Sequence, residues 1–408
     1  MNQLTPFTID DWVDEWTCEA FEEHKREVSG VLTASTMPVM VHGKPYDPVT
    51  IYISDLKKQF WFADALLFAV TAYYPGAKKR KKIPTDFRDI FDEKLICYDS
   101  GGFSLLMQQQ IKAGEKMKIP DPLDTVKIYK KMGYQDDDIL IQLDLPPEYY
   151  QTHKERMEKI KTNVEFFEIM QSEISIITPV VHGWLENEID YTIDNIGQRD
   201  QYCVGSNLAL TVRPQKRVKM ELILDRLVMV IQKLEDKRVM CLGAGNPNFA
   251  LILFALGFKA TDGCSWRRDA GFGRVYIFED TPTFFRNGKK YKRLPARQPR
   301  DSDYQFIKYL ISEHHYYPFF GMTFEELSHL LATKSSIRAL HNAYVTKMEE
   351  WKANTFVNDP DGLIRYLRKR WAKAKSSYYL KILNYMVKRI KRKQVQDNLD
   401  IYLKGKIT

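Results

Sequence analysis

Leu95-Ile96-Cys97-Tyr98-Asp99-Ser100-Gly101-Gly102-Phe103 is the stretch from which the rest of the chain can be read. An apolar run of strand-like composition stops at an acid, and a hydroxyl and two glycines follow at once. This puts Asp99 at the carboxyl end of a strand, with glycines that let backbone approach a ligand closely. Gly-rich turns after strands are common, so the stretch alone decides little. Its weight comes from recurrence.

The same grammar returns along the chain. Ile139-Leu140-Ile141-Gln142-Leu143 runs into Asp144, and Ile176-Ile177-Thr178-Pro179-Val180-Val181 into His182-Gly183. Tyr202-Cys203-Val204 runs into Gly205-Ser206-Asn207. Arg238-Val239-Met240-Cys241-Leu242 runs into Gly243-Ala244-Gly245-Asn246-Pro247, and Phe258-Lys259-Ala260-Thr261 into Asp262-Gly263. Helix-like segments such as 155–168 and 219–234 lie between. Short apolar strands alternating with helices predict an α/β fold of parallel βαβ units. Polar groups collecting at the carboxyl ends of several strands point to a (β/α)8 TIM barrel, whose active site is built there. A doubly wound sheet is the competing arrangement.

A chain of 408 residues can bury a large core, and one large domain with an appendage suits it better than several small ones. We divide it into an N-terminal part of the barrel with aromatic-rich helices (1–90), a catalytic core (91–350) and a basic helical C-terminal extension (351–408). The formal charge of +8 is concentrated locally and suits a polyanionic partner. Cys18, Cys97, Cys203, Cys241 and Cys264 are scattered without close pairs, which argues against a disulfide framework and for a reducing compartment. The first residues carry no signal-peptide pattern, and the apolar run 249–258 is too short to span a bilayer. These features predict a soluble, cytoplasmic protein with no membrane partner.

Trp12, Trp16 and Phe21 read as anchors of a first helix, and 59–74 as an aromatic-rich helix. The run Lys78-Lys79-Arg80-Lys81-Lys82 follows Pro75-Gly76 and reads as a loop, solvated or in contact with phosphate. Asn358-Asp359-Pro360-Asp361-Gly362 reads as a turn. Beyond it come Arg365, Arg368, Lys369 and Arg370, with Tyr366, Leu367 and Trp371 interleaved, and then Lys388-Arg389-Ile390-Lys391-Arg392-Lys393. Leu380, Leu383, Met386, Val387 and Ile390 have helical spacing. The tail is therefore expected to form two amphipathic helices whose basic faces meet nucleic acid. Gly243-Ala244-Gly245 lacks the third glycine of a dinucleotide fingerprint, so a Rossmann reading is set aside.

Asp99, Asp144 and Asp262 would share one mouth. Two acids across an anomeric carbon are the apparatus of glycosyl transfer with retention: one forms a covalent intermediate, the other moves protons. A third can read a guanine-like edge, because carboxylate oxygens accept from N1–H and the exocyclic amine. Taken singly, each Asp is as well explained by a helix cap or a buried ion pair.

At these residues the chain resembles the tRNA-guanine transglycosylase superfamily, over roughly residues 90 to 345. Asp99-Ser100-Gly101-Gly102-Phe103 is similar to its Asp-Ser-Gly-Gly-Phe motif, in which the Asp is the general acid/base and the Ser helps hold the base. Asp144 resembles the guanine-reading acid. Val181-His182-Gly183 stands where the family has Val-Gln-Gly, so His182 replaces a base-contacting glutamine. Val204-Gly205-Ser206-Asn207 resembles the Ile-Gly-Gly-Leu segment. Leu242-Gly243-Ala244-Gly245-Asn246-Pro247 resembles the Gly-x-Gly-x-Pro segment that precedes the nucleophile, here Asp262. Arg267, Arg268 and Arg274 lie where the family places phosphate-binding arginines.

The resemblance has gaps. The family's structural zinc is held by Cys-x-Cys-x-x-Cys and a later His-Asn. Here His341-Asn342 is present, but no cysteine follows Cys264. His314, His315 and His329 lie nearby, and a His-rich surface rather than a zinc site is expected. The hairpin between Gln110 and Pro120 looks shortened. The basic tail differs from the family's usual RNA-binding appendage. These departures resemble the DNA-acting, 7-deazaguanine branch, found in phages and bacteria. The resemblance implies a DNA-guanine transglycosylase that needs no cofactor and exchanges guanine in duplex DNA for a 7-deazaguanine base such as preQ0. The setting would be the cytoplasm, that of the host if phage-encoded. A tRNA-guanine transglycosylase, a nucleic-acid glycosidase and a non-catalytic binding subunit are the alternatives.

Overall fold

In a computed structural model, the chain is described over residues 32–33, 65–75, 83, 88, 95–102, 119–205, 220–244, 246–263, 265–285, 297–373 and 378–390. Nine parallel strands carry the fold. They are β1 (Leu32–Thr33), β2 (Ala65–Ala69), β3 (Leu95–Asp99), β4 (Ile139–Ile141), β5 (Ile177–Thr178), β6 (Val180–Val181), β7 (Gln201–Val204), β8 (Arg238–Cys241) and β9 (Ala260–Thr261). One sheet runs β2-β3-β4-β5 and the other β1-β9-β8-β7-β6. The first strand pairs with the last, Leu32 opposite Ala260 and Thr33 opposite Thr261. No pairing closes the sheets into a ring among the described residues.

The two sheets meet within one chain run. Pro179, which lacks an N–H, separates β5 from β6: it cannot donate to a ladder, although its carbonyl accepts from the Cys203 N–H at 2.8 Å. Before it, β5 pairs with β4; after it, β6 pairs with β7. Gln142 fills the break: its Oε1 accepts from the Val180 N–H at 2.9 Å, and its Nε2 donates to the Asn163 carbonyl at 2.9 Å.

Side chains alternate across the strands and sort into two cores. One face gathers Ala65, Leu67, Cys97, Ile139, Ile141, Val180, Cys203, Met240 and Ala260 from seven strands into a single small cluster. The other face joins a large cluster shared with the helices. Strands buried on both faces read as unbroken apolar runs. That explains one error of the sequence reading: 59–74 was expected to be helical, but Ala65–Ala69 is a strand in register with Leu95–Asp99, followed by a 3-10 turn, Val70–Tyr73.

The helices are α1 (Pro122–Met132), α2 (His153–Glu173), α3 (Glu186–Ile196), α4 (Met220–Lys233), α5 (Pro247–Ala255), α6 (Ser265–Gly271), α7 (Asp301–Ser312), α8 (Phe324–Thr333), α9 (Ser335–Asn354), α10 (Pro360–Lys373) and α11 (378–390). Their starts are written locally. Thr152 and Glu155 form a reciprocal capping box on α2, with Thr152 N–H to Glu155 Oε2 at 2.7 Å. Asp121 and Asn246 cap α1 and α5 ahead of prolines at the first helical position. Asp359 accepts from the Gly362 N–H at 2.7 Å, so the expected turn at 358–362 is the start of α10. A short antiparallel pair, β10 (Arg274–Val275) and β11 (Thr283–Phe284), follows α6.

The helix α9 is mostly buried, packs on α6 and runs through the expected boundary at 350/351. Leu363, Leu367 and Trp371 of α10, and Leu383 and Met386 of α11, join the large cluster. The two expected C-terminal helices are present, and their apolar faces are docked on the core. Among the described residues no helix is long and apolar enough to cross a membrane.

Candidate active site

The carboxyl ends of β3, β4, β6, β8 and β9 carry the residues singled out in the sequence. Asp99 ends β3, and its Oδ1 accepts from the Gly101 N–H at 3.1 Å, an arrangement helped by the left-handed backbone of Gly101 (φ 86°). Burial pushes the Asp99 pKa up, the Gly101 N–H pulls it down, and Asp144 and Asp262 push it up again, to about 7. Those repulsions place all three carboxylates in one electrostatic neighbourhood.

Asp144 is buried beside Gly102. A Cβ on Gly102 would stand 2.1 Å from Asp144 Oδ1, so the second glycine is what lets the carboxylate lie against the turn. Asp144 Oδ2 lies 3.0 Å from Nε2 of His182, which is wholly buried. Burial lowers the His182 pKa against the pull of Asp144, which favours the neutral ring. The ring sits against Gly205, where a Cβ would come within 2.8 Å of its Cε1. Gly183 is left-handed (φ 128°), and its carbonyl accepts from Nε of the buried Arg226 at 2.5 Å. Arg226 also lies 5.2 Å from the Trp184 ring centroid, so the His182-Gly183 turn is held from behind.

Asp262 follows β9. The Gly243 N–H donates to its Oδ1, which ties the segment after β8 to the expected nucleophile. Burial raises its pKa and backbone N–H groups lower it, to about 6. Both carboxylates are thus held above the usual aspartate range, which favours keeping a proton among them near neutral pH. Because the acids interact, these values belong to the group of carboxylates.

Other expected residues are placed differently. The Ser100 hydroxyl is buried and donates to the Gln142 carbonyl at 2.8 Å. Arg267 is partly exposed and Arg268 exposed, both on α6. Arg274 pairs with Asp269, Nη1 to Oδ1 at 2.9 Å. On α10, Arg365, Arg368 and Lys369 are exposed. Arg370 is not: both its terminal nitrogens bind Glu349, at 2.6 and 2.7 Å, with the side chain 6% exposed. Its place on the expected nucleic-acid face is therefore corrected, because helical rotation turns it inward. Phe103, Ser206, Asn207, Trp12, Trp16, Phe21, the 78–82 run, residues 110–118 and 391–393 lie outside the described residues.

His314 and His341 are used for packing. His341 has its Nδ1 2.7 Å from the Tyr317 hydroxyl and its Nε2 2.8 Å from the Tyr276 carbonyl, and burial lowers its pKa to about 4. Asn342 accepts from the Tyr276 N–H and donates to the Trp266 and Arg274 carbonyls. His341-Asn342 thus clamps α9 to α6 and β10. Nδ1 of His314 lies 2.5 Å from the Tyr344 hydroxyl. Among the described residues no group of three or more His, Cys, Asp or Glu side chains could hold a metal ion.

Sequence reasoning missed three supports: Tyr74, Gln142 and Arg226. Tyr74 donates to the Ser100 carbonyl at 2.9 Å and contacts Thr125 at the same distance. Only the Gln142 position, inside an otherwise apolar strand run, carried a signal. No protein-family model matches the chain, and no curated protein matches it significantly.

Proposed function

We propose that this chain is a DNA-guanine transglycosylase on a (β/α)8 barrel, exchanging guanine in DNA for a 7-deazaguanine base. The pairing of the first strand with the last, and the single inner cluster drawn from seven strands, support the barrel. One observation carries the chemistry: Asp99 and Asp262, both with raised pKa, act on each other electrostatically from two strand ends, and Asp144, which also acts on Asp99, pairs with His182.

In the reaction the target nucleotide is flipped out of the stack, since an enclosed site cannot otherwise reach its sugar. The Asp262 carboxylate attacks C1′, the C1′–N9 bond breaks, and the departing guanine takes the proton of Asp99. Asp99 then accepts a proton from the incoming base, whose nitrogen attacks C1′ and expels Asp262. Two inversions give net retention. Asp144, oriented by His182, accepts from the donor edge of either base. The scheme calls on no redox or nucleotide cofactor.

DNA is favoured over tRNA by the exposed Arg365, Arg368 and Lys369, suited to a phosphate backbone, and by the lack of cysteines for the family's zinc subdomain. The test is labelled-guanine exchange by purified protein on duplex DNA, single-stranded DNA and unmodified tRNA in parallel. Incorporation into DNA is expected. Incorporation into tRNA alone would reassign the substrate, and release of guanine without exchange would reassign the reaction to hydrolysis.

A further inference from the structure

A cavity of about 290 Å3 opens between the start of α5, the β10–β11 segment and the C-terminal helices. None of Asp99, Asp144, His182 and Asp262 lines it. Its polar wall is built from two buried ion pairs, Arg274 with Asp269 and Arg370 with Glu349. Arg370 uses both terminal nitrogens and Arg274 its Nη1, while the Nε–H of each has no hydrogen-bond partner. A buried donor left unmade is costly, and a ligand acceptor would remove that cost. The same wall offers acceptors, since a carboxylate has about four lone-pair sites and these are only partly filled.

Two features narrow the ligand. The two arginines of the wall are already paired, so a strongly anionic guest would have to break a buried pair. A neutral ring with donors and acceptors on its edge would not. Trp371 and Tyr379, with ring centroids 5.7 Å apart and planes 32° from parallel, add a flat aromatic wall with Tyr276 nearby. The volume is at the small end for ligand pockets, about 300–1,000 Å3, which suits a base or nucleoside.

We propose that this cavity is a second nucleobase-binding site, separate from the carboxylate mouth and completed by α10 and α11. It does not depend on the chemistry at Asp262. The base could be a free nucleoside or one carried by a nucleic-acid strand, and the two are told apart by experiment.

The full-length protein is titrated calorimetrically with guanosine and with a short single-stranded oligonucleotide, the latter also with an abasic position next to the target. Three variants accompany it. Thr281→Trp fills the cavity from an exposed wall position, Asn248→Ala removes an amide from the wall, and Asp144→Asn disables the mouth. Saturable binding that weakens about tenfold or more in Thr281→Trp and Asn248→Ala, but persists in Asp144→Asn, is expected. If guanosine shows it, the free base is the guest. If only the oligonucleotide does, and the abasic neighbour abolishes it, the guest is a strand base. Binding lost in Asp144→Asn and untouched in both cavity variants, all of them folded by circular dichroism, belongs to the mouth and overturns the second site. Absence of any binding sensitive to the cavity variants overturns it as well, whatever the exchange assay shows.

Discussion

Two acids in this molecule, one wholly buried and one half-buried, meet opposite fates. Glu188, in the first turn of α3, is wholly buried. Burial pushes its pKa up, yet Arg156, the Trp184 N–H and His153 outweigh that and hold it below the usual glutamate value. Asp99 has one backbone donor, and two other carboxylates push on it. Burial is common to both, so partners make the difference. Where the fold supplies cations and N–H groups, an acid is a structural anion. Where it supplies other acids, a proton is kept on hand. The second arrangement costs stability, and groups so perturbed cluster at functional sites.

The sharpest way to break this contrast is Asp262→Asn. Base exchange should fall by roughly four orders of magnitude or more, while DNA binding by fluorescence anisotropy stays near wild type. A protein–DNA adduct trapped in denaturing gels should appear with wild type and vanish with the variant. Normal turnover by the variant would remove Asp262 from the chemistry.

Next in size is Glu188→Gln, which leaves Arg156 buried without its countercharge. A loss of about 3 kcal/mol is expected, read as a fall in the denaturant midpoint at pH 7. Because the Glu188 pKa is lowered in the fold, its contribution is present above the ordinary glutamate range and fades as pH drops through the folded value. The deficit should therefore shrink in acid.

Asp99→Asn should do the reverse. The folded pKa of about 7 exceeds the unfolded value of 3.8, so ionising Asp99 costs the fold stability as pH rises between the two. The variant should be more stable than wild type at pH 8 and no different near pH 4. It should also lose exchange activity. In wild type, the rate should climb as Asp262 ionises near pH 6 and fall as Asp99 loses its proton above pH 7. A rate that rises steadily to pH 9 would show that Asp99 is not the acid.

The smallest effect concerns the outer face of α10. Replacing Arg365, Arg368 and Lys369 with alanine should reduce the salt slope of DNA binding by up to ~3, with equal loss on all sequences. An unchanged slope would make this an ordinary solvated face.

How much of this could be read from residues alone follows the same division. Strand ends at Asp99, Asp144, His182, Asp262 and Gly205 were legible because apolar runs stop there abruptly. The strand at 65–69 was not, because a fully buried parallel strand and an apolar helix have the same composition. Arg370 and Arg274 looked like their neighbours on a basic list. Only the positions of Glu349 and Asp269, far along the chain or a turn away, turned them inward. His341-Asn342 matched a motif associated with a metal, yet here both side chains meet backbone and tyrosine. Patterns reveal where a side chain stands along an element; its partners come from chain folding over distance.

The pairing of β1 with β9 also bears on how the protein is made. Leu32 and Thr33 are synthesised early, but their partners Ala260 and Thr261 emerge only after the other strands of the sheet. Contacts between such distant parts of a chain form slowly, since a long loop must close first. During that interval the open side of β9 presents unpaired backbone groups, the kind of edge on which chains stick to one another. Loss of the segment holding Leu32 and Thr33 would make that interval permanent, and the outcome would be aggregation during expression rather than a folded but weakened protein.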